Sequence, residues 1–370
     1  MSASSFTVSS QVKDYTVHLP GDASFLDRLA GGEKRVFIVD EHVWAAHRSG
    51  VLHSLNPAEV LVLPIHEERK VLATVEWLYD RMMDRGAKRD TLAVAIGGGI
   101  TQDLVGFMAS TLFRGIGWIF VPTTLLSQGD GCLGGKTSLN YRHFKNLLGT
   151  FHPPTDIYVY APFVDTLSDA EYASGMGEIV KTMVLGGEQT TATMLLDLDA
   201  AMARDHAALQ RLLERALVIK KGFIETDEFD TGYRHILNYG HCFGHGVEAA
   251  MGFAIPHGQC VLTGMIMAGI VARNRGLLAP ALHDFVTRDV VDRAYTVRLR
   301  RGSVDHGKVV EAMKWDKKRK EGGDLAIILL TDGYEMVEVH DMTEDEALGT
   351  LDEFERVYAE EPGEGVTLSR

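Results

Sequence analysis

From residue 35 onward, short apolar runs alternate with stretches whose apolar residues recur every three or four positions. The runs are RVFIVD (35–40), VLVLP (60–64), LAVAIGGG (92–99), WIFVPTT (118–124) and DIYVYAP (156–162), and their length and β-branched and aromatic content predict strands. Between the second and third lies ERKVLATVEWLYDRMMDRGAK, in which Val71, Val75, Leu78 and Met82 fall on one face of a helix. Strands alternating with helices predict parallel pairing, and so a doubly wound α/β sheet. After Leu167 the pattern changes. AEYASGMGEIVKTMVLGG, ATMLLDLDAAMARDHAALQRLLERALVIKKGFIE and GHCFGHGVEAAMG read as helices, and only LAIILL at 325–330 reads as a strand. The pattern divides the chain into an α/β domain over 1–166 and a mainly α-helical domain over 167–370.

Composition agrees with that division, because 370 residues at 45% hydrophobic content can fill two cores. The net charge of -14, from 37 basic and 51 acidic residues, argues against a nucleic-acid partner, which needs a basic face. MSASSFTVSSQVKDYTV lacks the basic flank and apolar core of a secretory signal, and CVLTGMIMAGIVA at 260–272 is too short to span a bilayer. The expectation is a cytoplasmic protein with no membrane partner. Cys132, Cys242 and Cys260 form no CxxC pair and read as ordinary reduced thiols.

Three stretches carry candidate chemistry. GGGI at 97–100 ends an apolar run and enters the helical TQDLVGFMASTLF, where backbone N–H groups can meet a pyrophosphate. A tight turn with no ligand is the plainer reading, since the pattern is not GxGxxG. Asp40, ending RVFIVD, suits either a ribose or the N-cap of a following helix. In VPTTLLSQGDGCLGGKTSLNYRHFKNLLG (121–149), glycines, Lys136, Asn140, Lys145 and Asn146 fall within what reads as one loop, and on an acidic protein they suggest an anion site. In NYGHCFGHGVEAAMGFAIPHGQ (238–259), His241 and His245 share a helix face and His257 follows a proline turn. Three imidazoles so placed can surround a metal, although HCFGH lacks the glutamate of HExxH and structural histidines remain the alternative. Glu178, on an otherwise apolar helix, is the candidate carboxylate ligand; its alternative is a surface glutamate.

Taken together, these motifs and their spacing, from about Asp40 to the DKK at 316–318, resemble 3-dehydroquinate synthase and its relatives, the sugar phosphate cyclases. The resemblance implies a Rossmann-like NAD-binding domain, a helical metal-binding domain and an active site in the cleft between them. It implies zinc, with cobalt tolerated, on Glu178 in GMGEIVK, His241 in LNYGH and His257 in IPHGQ, with His245 on the substrate phosphate. By the same matching, Arg114, Asp130, Lys136, Lys145, Asn146, Lys181, Lys220, Arg234, Asn238 and one of Lys317 and Lys318 fall on substrate-pocket positions. Asp40, Glu67, Lys70, Gly98, Gly99, Asp103, Thr123, Thr124, Phe163 and Thr166 fall on NAD-contacting ones, beside Lys136 and Lys145. The implied chemistry is transient oxidation of a ring alcohol by NAD, loss of phosphate, return of the hydride, ring opening and an aldol closure. A homodimer is implied, with Arg114 reaching the neighbouring phosphate site.

Arg234, whose planar fork suits a carboxylate, favours 3-deoxy-arabino-heptulosonate 7-phosphate as substrate and 3-dehydroquinate as product. The alternatives are a secondary-metabolism cyclase acting on sedoheptulose 7-phosphate or a related sugar phosphate, a metal-dependent polyol dehydrogenase, and a non-catalytic binding protein. The chain departs from the family in three places. GDGCLGGKTSLN stands for the usual VDSSVGGKTGVN, Gln102 stands for a glycine, and HGQC stands for HGEA. Gln102 adds bulk where backbone is expected to approach a pyrophosphate.

Overall fold

A computed structural model describes residues 3–317, 325–361 and 366–368, with backbone alone for 315–317 and 366–368. All five apolar runs are strands, and they join two more near the N-terminus. In chain order the strands of the first unit are β1 (Ser4–Val8), β2 (Tyr15–Leu19), β3 (Arg35–Asp40), β4 (Val60–Leu63), β5 (Leu92–Gly97), β6 (Trp118–Pro122), β7 (Lys136–Tyr141), β8 (Phe144–Phe151) and β9 (Asp156–Tyr158). Seven form one sheet in the order β1-β2-β9-β6-β5-β3-β4. Only β1 runs antiparallel; Ile38 on β3 pairs with Leu61 on β4 and Ala95 on β5, and Ala95 pairs with Phe120 on β6. Every residue of β6 is buried, as expected of a parallel strand covered on both faces.

Helices α1 (Ser24–Ala30), α2 (Glu41–His47), α3 (Leu72–Asp84) and α4 (Gly99–Thr111) accompany the sheet. Thr74, Val75, Leu78 and Met82 are the buried face of α3; of the expected stripe only Val71 is not buried, and it stands at the N-cap. The core joins Phe25, Leu26, Phe37, Val94, Ile119 and Phe163. After β3 the chain passes to β4 on one side, and after β5 it passes to β6 on the other. The carboxyl ends of β3 and β5 therefore mark a topological switch point, where doubly wound sheets bind ligands.

The segment expected as one loop after β6 is folded. Ser127–Gly131 forms a helical turn, and β7 and β8 pair as a hairpin, with Lys136 opposite Phe151 and Tyr141 opposite Phe144. Its alternation is carried by Thr137 and Leu139 alone, a pattern too weak to separate from loop.

The second unit is mainly helical. α5 (Asp169–Leu185) opens with a capping box between Ser168 and Glu171, and other helices span His206–Thr226, His241–Ala250, His257–Asn274, His306–Lys317 and Glu344–Tyr358. LAIILL is a strand, as expected, and pairs antiparallel with Met336–Met342. The long pattern at 192–225 is broken into three helices, Glu188–Leu195, Leu198–Met202 and His206–Thr226. Arg204 turns the chain at φ 64°, and Asp205 caps the last of them by accepting from the Ala208 N–H at 2.8 Å.

Two compact units result, Met1–Leu167 with Lys220–Asp230, and Ser168–Ile219 with Thr231–Arg370. The expected boundary near 166 thus omits a return of the chain. Polar contacts bind that returning segment to the first unit: Glu225 accepts from the Ser9 N–H at 2.7 Å and Glu228 from the Gln11 N–H at 2.6 Å. Among the described residues no helix is long and apolar enough to cross a membrane.

Candidate active site

At the switch point Asp40 caps α2, accepting from the His42 and Val43 N–H groups at 2.8 and 3.3 Å. β5 ends in three glycines. A Cβ on Gly97 would lie 2.3 Å from Thr101 Oγ1, and one on Gly98 would lie 2.9 Å from Thr124 Cγ2, so side chains are excluded there. Thr101 Oγ1 and Thr123 Oγ1 are buried without a hydrogen-bond partner among the described residues. A glycine edge at the N-terminus of α4, with orphaned hydroxyls beside it, fits a dinucleotide.

Next to this edge lies a continuous polar network. Lys70, 7% exposed, pairs with Asp103 at 2.5 Å and donates to Asn146 Oδ1 at 2.6 Å. Burial raises the Asp103 carboxyl above its ordinary value, with Lys70 and Ser138 acting in the opposite direction. Ser138, where the family has glycine, supplies Asp103 with its N–H at 2.8 Å and its Oγ at 3.0 Å. Asn140 joins Glu67 Oε1 at 2.8 Å to the Asn146 N–H at 2.9 Å. Gln102, also a departure, is buried and donates to the Gly131 carbonyl at 2.8 Å. Its bulk therefore braces the turn that carries Asp130. Phe163 is in the core, and Thr166 Oγ1 lies 3.0 Å from His47 Nε2.

The lysines do not form one cluster within the first unit. Lys136 starts β7 and pairs with Asp230 at 2.5 Å, while Lys145 and Asn146 lie near the hairpin tip. At about 3.3 Å per residue their backbones are roughly 13 Å apart. Lys220 is 5% exposed and donates to the Asp130 carbonyl at 2.7 Å and pairs with its carboxylate at 2.8 Å. Arg114 is exposed at a turn in which Phe113 and Arg114 take φ of 53° and 68°.

In the second unit three helices approach through glycines. A Cβ on Gly258 would lie 1.8 Å from the Ser174 carbonyl oxygen, and one on Gly177 would lie 2.3 Å from the Gly258 carbonyl oxygen. This backbone contact sets α5 against the start of the His257 helix. A Cβ on Gly264 would lie 1.8 Å from the Gly240 carbonyl oxygen, which holds the His241 helix equally close. Glu178, Lys181, His241, His245 and His257 converge as a result.

Glu178 is not a surface residue: it is 2% exposed, and its Oε2 accepts from Lys181 Nζ at 2.6 Å. Its Oε1 has no well-directed hydrogen bond, yet lies 3.2 Å from His257 Nε2 and 3.6 Å from His241 Nε2. Ring nitrogens of His241, His245 and His257 all lie within 4.8 Å of one another. Burial would raise the Glu178 carboxyl, but Lys181, His241 and His257 together hold it well below the usual range. Burial above all pushes His241 down to about 3. Burial also opposes charge on His257, but Glu178 and Glu248 outweigh it and lift that residue to about 10. An orphaned carboxylate oxygen aimed at two imidazoles fits a divalent cation, and the N₂O donor set suits zinc and tolerates cobalt.

A cavity of about 300 Å³ opens beside this centre, lined by His241, His245, Asn238, His235, Cys242 and Glu338 among others. Arg234, 5% exposed, lies on the short helix Tyr233–Asn238 that forms part of its wall. Lys318 and the side chain of Lys317 lie outside the described residues. Sequence reasoning did not single out Glu248 or Glu338, whose contributions arise from the packing of separate segments, nor Tyr239, whose carbonyl meets His241 two residues on.

A nucleotide-type sheet with a glycine edge, and a buried carboxylate–histidine centre, are the parts of a metal-dependent enzyme that uses a dinucleotide. Comparison with known proteins names the group. The N-terminal profile of 3-dehydroquinate synthase matches residues 60–174 and the C-terminal profile residues 175–319. A 3-dehydroquinate synthase of Geobacter metallireducens is 37% identical over 274 residues, covering 71% of this chain and 76% of its own. One of Streptococcus pneumoniae is 33% identical over 311 residues, covering 83% and 86%. The 2-epi-5-epi-valiolone synthase of Streptomyces hygroscopicus, solved with NAD+ and Zn2+ bound, has a TM-score of 0.80 at 25% identity, covering 94% of this chain and 98% of its own. A 2-deoxy-scyllo-inosose synthase solved with carbaglucose-6-phosphate, NAD+ and Co2+ shares the fold, with a TM-score of 0.82 at 24% identity and coverage of 95% and 100%. The chain belongs to the 3-dehydroquinate synthase family.

Proposed function

We propose that the protein is an NAD- and metal-dependent carbon–oxygen lyase that cyclises a sugar phosphate with loss of phosphate, taking 3-deoxy-arabino-heptulosonate 7-phosphate to 3-dehydroquinate. The observation that carries this reading is the meeting of Glu178 Oε1 with the Nε2 atoms of His257 and His241, at 3.2 and 3.6 Å, beside a cavity that His241 and His245 help to line. Glu178, His241 and His257 hold the metal. A bound divalent ion supplies Lewis acidity to a substrate hydroxyl, and bound NAD supplies the hydride acceptor that is regenerated within each turnover.

The chain's own groups bind and orient. The glycine edge at Gly98 and Gly99, with Thr123 and Thr124, receives the pyrophosphate, and Asp40, Glu67, Lys70, Asp103, Phe163 and Thr166 complete the cofactor site. Arg234 binds the substrate carboxylate in its planar fork. Lys220 and Asn238 hold neighbouring hydroxyls, and Asp130 keeps Lys220 in place through their 2.8 Å pair. Lys181 balances Glu178 and keeps it ionised. The family resemblance assigns His245, Lys136, Lys145 and Asn146 each to the substrate and its phosphate, and Arg114 to the phosphate site of the neighbouring subunit in a homodimer. The cytoplasm is the setting that three free cysteines favour.

The departures at Gln102, Gly131 and Ser138, which surround Asp103 and the turn that carries Asp130, keep sedoheptulose 7-phosphate as the second reading. Mass spectrometry of products after incubation with heptulosonate, heptulose and hexose phosphates separates the two. The proposal requires turnover of the carboxylated substrate and a loss of more than about tenfold in kcat/KM for Arg234→Met, about 1.4 kcal/mol. Turnover of sedoheptulose 7-phosphate alone would overturn it.

A further inference from the structure

We infer that Glu248 is a positioning residue for the metal centre, fixing the tautomer and ring orientation of His257 so that Nε2 is the atom presented to the ion. The inference rests on His257 being a ligand. An imidazole has two nitrogens, and the hydrogen bond made by one decides which is left to coordinate. Glu248 Oε2 lies 3.1 Å from His257 Nδ1, and on the opposite side of the same ring Nε2 lies 3.2 Å from Glu178 Oε1. With Nδ1–H donating to Glu248, only Nε2 is available on the side where Glu178 and His241 converge.

The placement follows from the fold. Glu248 stands seven residues after His241 on the helix His241–Ala250, close to two turns along and so on nearly the same face. The chain then turns through Gly252 and Phe253, at φ 60° and 63°, and returns His257 as the first residue of the next helix. One helix therefore carries a ligand near its start and the orienting group of another ligand near its end. His241 is oriented differently: its Nδ1 lies 3.2 Å from the Tyr239 carbonyl oxygen, a neutral acceptor supplied by backbone. Of the two ligand histidines, His257 is thus the one whose presentation depends on a side chain, and the one a point mutation can misdirect. A carboxylate acceptor also raises the electron density on Nε2, strengthening it as a donor.

The test measures zinc dissociation constants by competition with a chromophoric chelator for the wild type, Glu248→Ala, Glu248→Gln and His257→Ala. Melting temperatures of the metal-free proteins and ¹⁵N-histidine NMR of the zinc-loaded wild type accompany them. Glu248→Ala is expected to weaken zinc by about 10- to 100-fold. Glu248→Gln, which keeps an accepting oxygen without the charge, should recover the greater part of that loss, and the wild-type spectrum should show His257 protonated at Nδ1 and metallated at Nε2. Glu248→Ala binding within threefold of wild type, while His257→Ala binds weakly, would overturn the positioning role and leave the ligand assignment standing. Wild-type affinity in His257→Ala would overturn the ligand assignment itself. The NMR arm needs no variant to fold: His257 metallated at Nδ1 overturns the inference outright.

Discussion

The close glycine contact between α5 and the start of the His257 helix makes Gly258→Ala a sharp test of how the centre is built. A Cβ on Gly258 would sit 1.8 Å from the Ser174 carbonyl oxygen, whereas real Cβ contacts under 3.0 Å essentially never occur. Both partners are helix backbone, so no side chain can swing aside, and the helices must separate by about 1.2 Å or more at this point. Ser174 is one turn before Glu178 on α5, and Gly258 adjoins His257. The separation therefore falls on the Glu178–His257 pair. Zinc–ligand distances tolerate about 0.2 Å, so such a shift exceeds the tolerance several-fold. Gly258→Ala should weaken zinc by at least tenfold and destabilise the protein by about 1–3 kcal/mol, the usual cost of overpacking. At about 2–4 °C per kcal/mol, its melting temperature should fall by roughly 2–12 °C. Gly349→Ala is the control, because a Cβ there meets nothing within 4 Å. Chelator competition and thermal melts of both variants decide the matter. Wild-type zinc affinity and an unchanged melting temperature in Gly258→Ala would show that the contact does not set the centre's geometry.

Three other outcomes are expected. Lys181→Met leaves Glu178 Oε2 buried without its 2.6 Å partner and should cost about 3–5 kcal/mol in the metal-free protein, read from urea midpoints; a loss under 1 kcal/mol would refute the pairing argument. Gln102→Leu removes the donor to the Gly131 carbonyl and should cost about 1–3 kcal/mol, with the melting temperature falling accordingly and zinc affinity unchanged. His283 is 1% exposed, neither ring nitrogen makes a well-directed hydrogen bond among the described residues although Nδ1 lies 3.4 Å from Asp284 Oδ1, and burial, with Arg273, holds its pKa below the ordinary 6.5 despite Asp284 and Glu353. Because the folded pKa is the lower one, the unfolded chain takes up the proton first and stability falls as pH drops through about 6.5. His283→Leu should therefore lose less stability than wild type between pH 7 and pH 5; parallel losses would contradict the assignment.

The sheet was legible because five buried parallel strands write continuous apolar runs, and the histidine centre because an i, i+4 pair and a proline turn are local signals. Glu178 stood out as a charge on an apolar helix, and its buried pairing with Lys181 explains why the helix tolerates it. What stayed hidden depends on segments far apart in sequence. Gly177 and Gly258 look like weak helix positions until their backbones meet. Glu248 looks like a surface glutamate until the turn at Gly252 brings His257 back to it. The hairpin of β7 and β8 reads as loop because polar side chains in a mutual network replace the apolar alternation that marks a strand. Asp230, partner of Lys136, lies 94 residues away, beyond any local pattern.

The return of Lys220–Asp230 to the first unit has a consequence for synthesis. Asp130 waits for Lys220, and Lys136 for Asp230, while more than fifty further residues leave the ribosome after Leu167. At about 5–20 residues per second this delay is roughly 3–12 s. During that interval the first unit lacks these contacts and those that Glu225 and Glu228 make to Ser9 and Gln11, and chaperone capture or proteolytic nicking should concentrate in this window rather than after release.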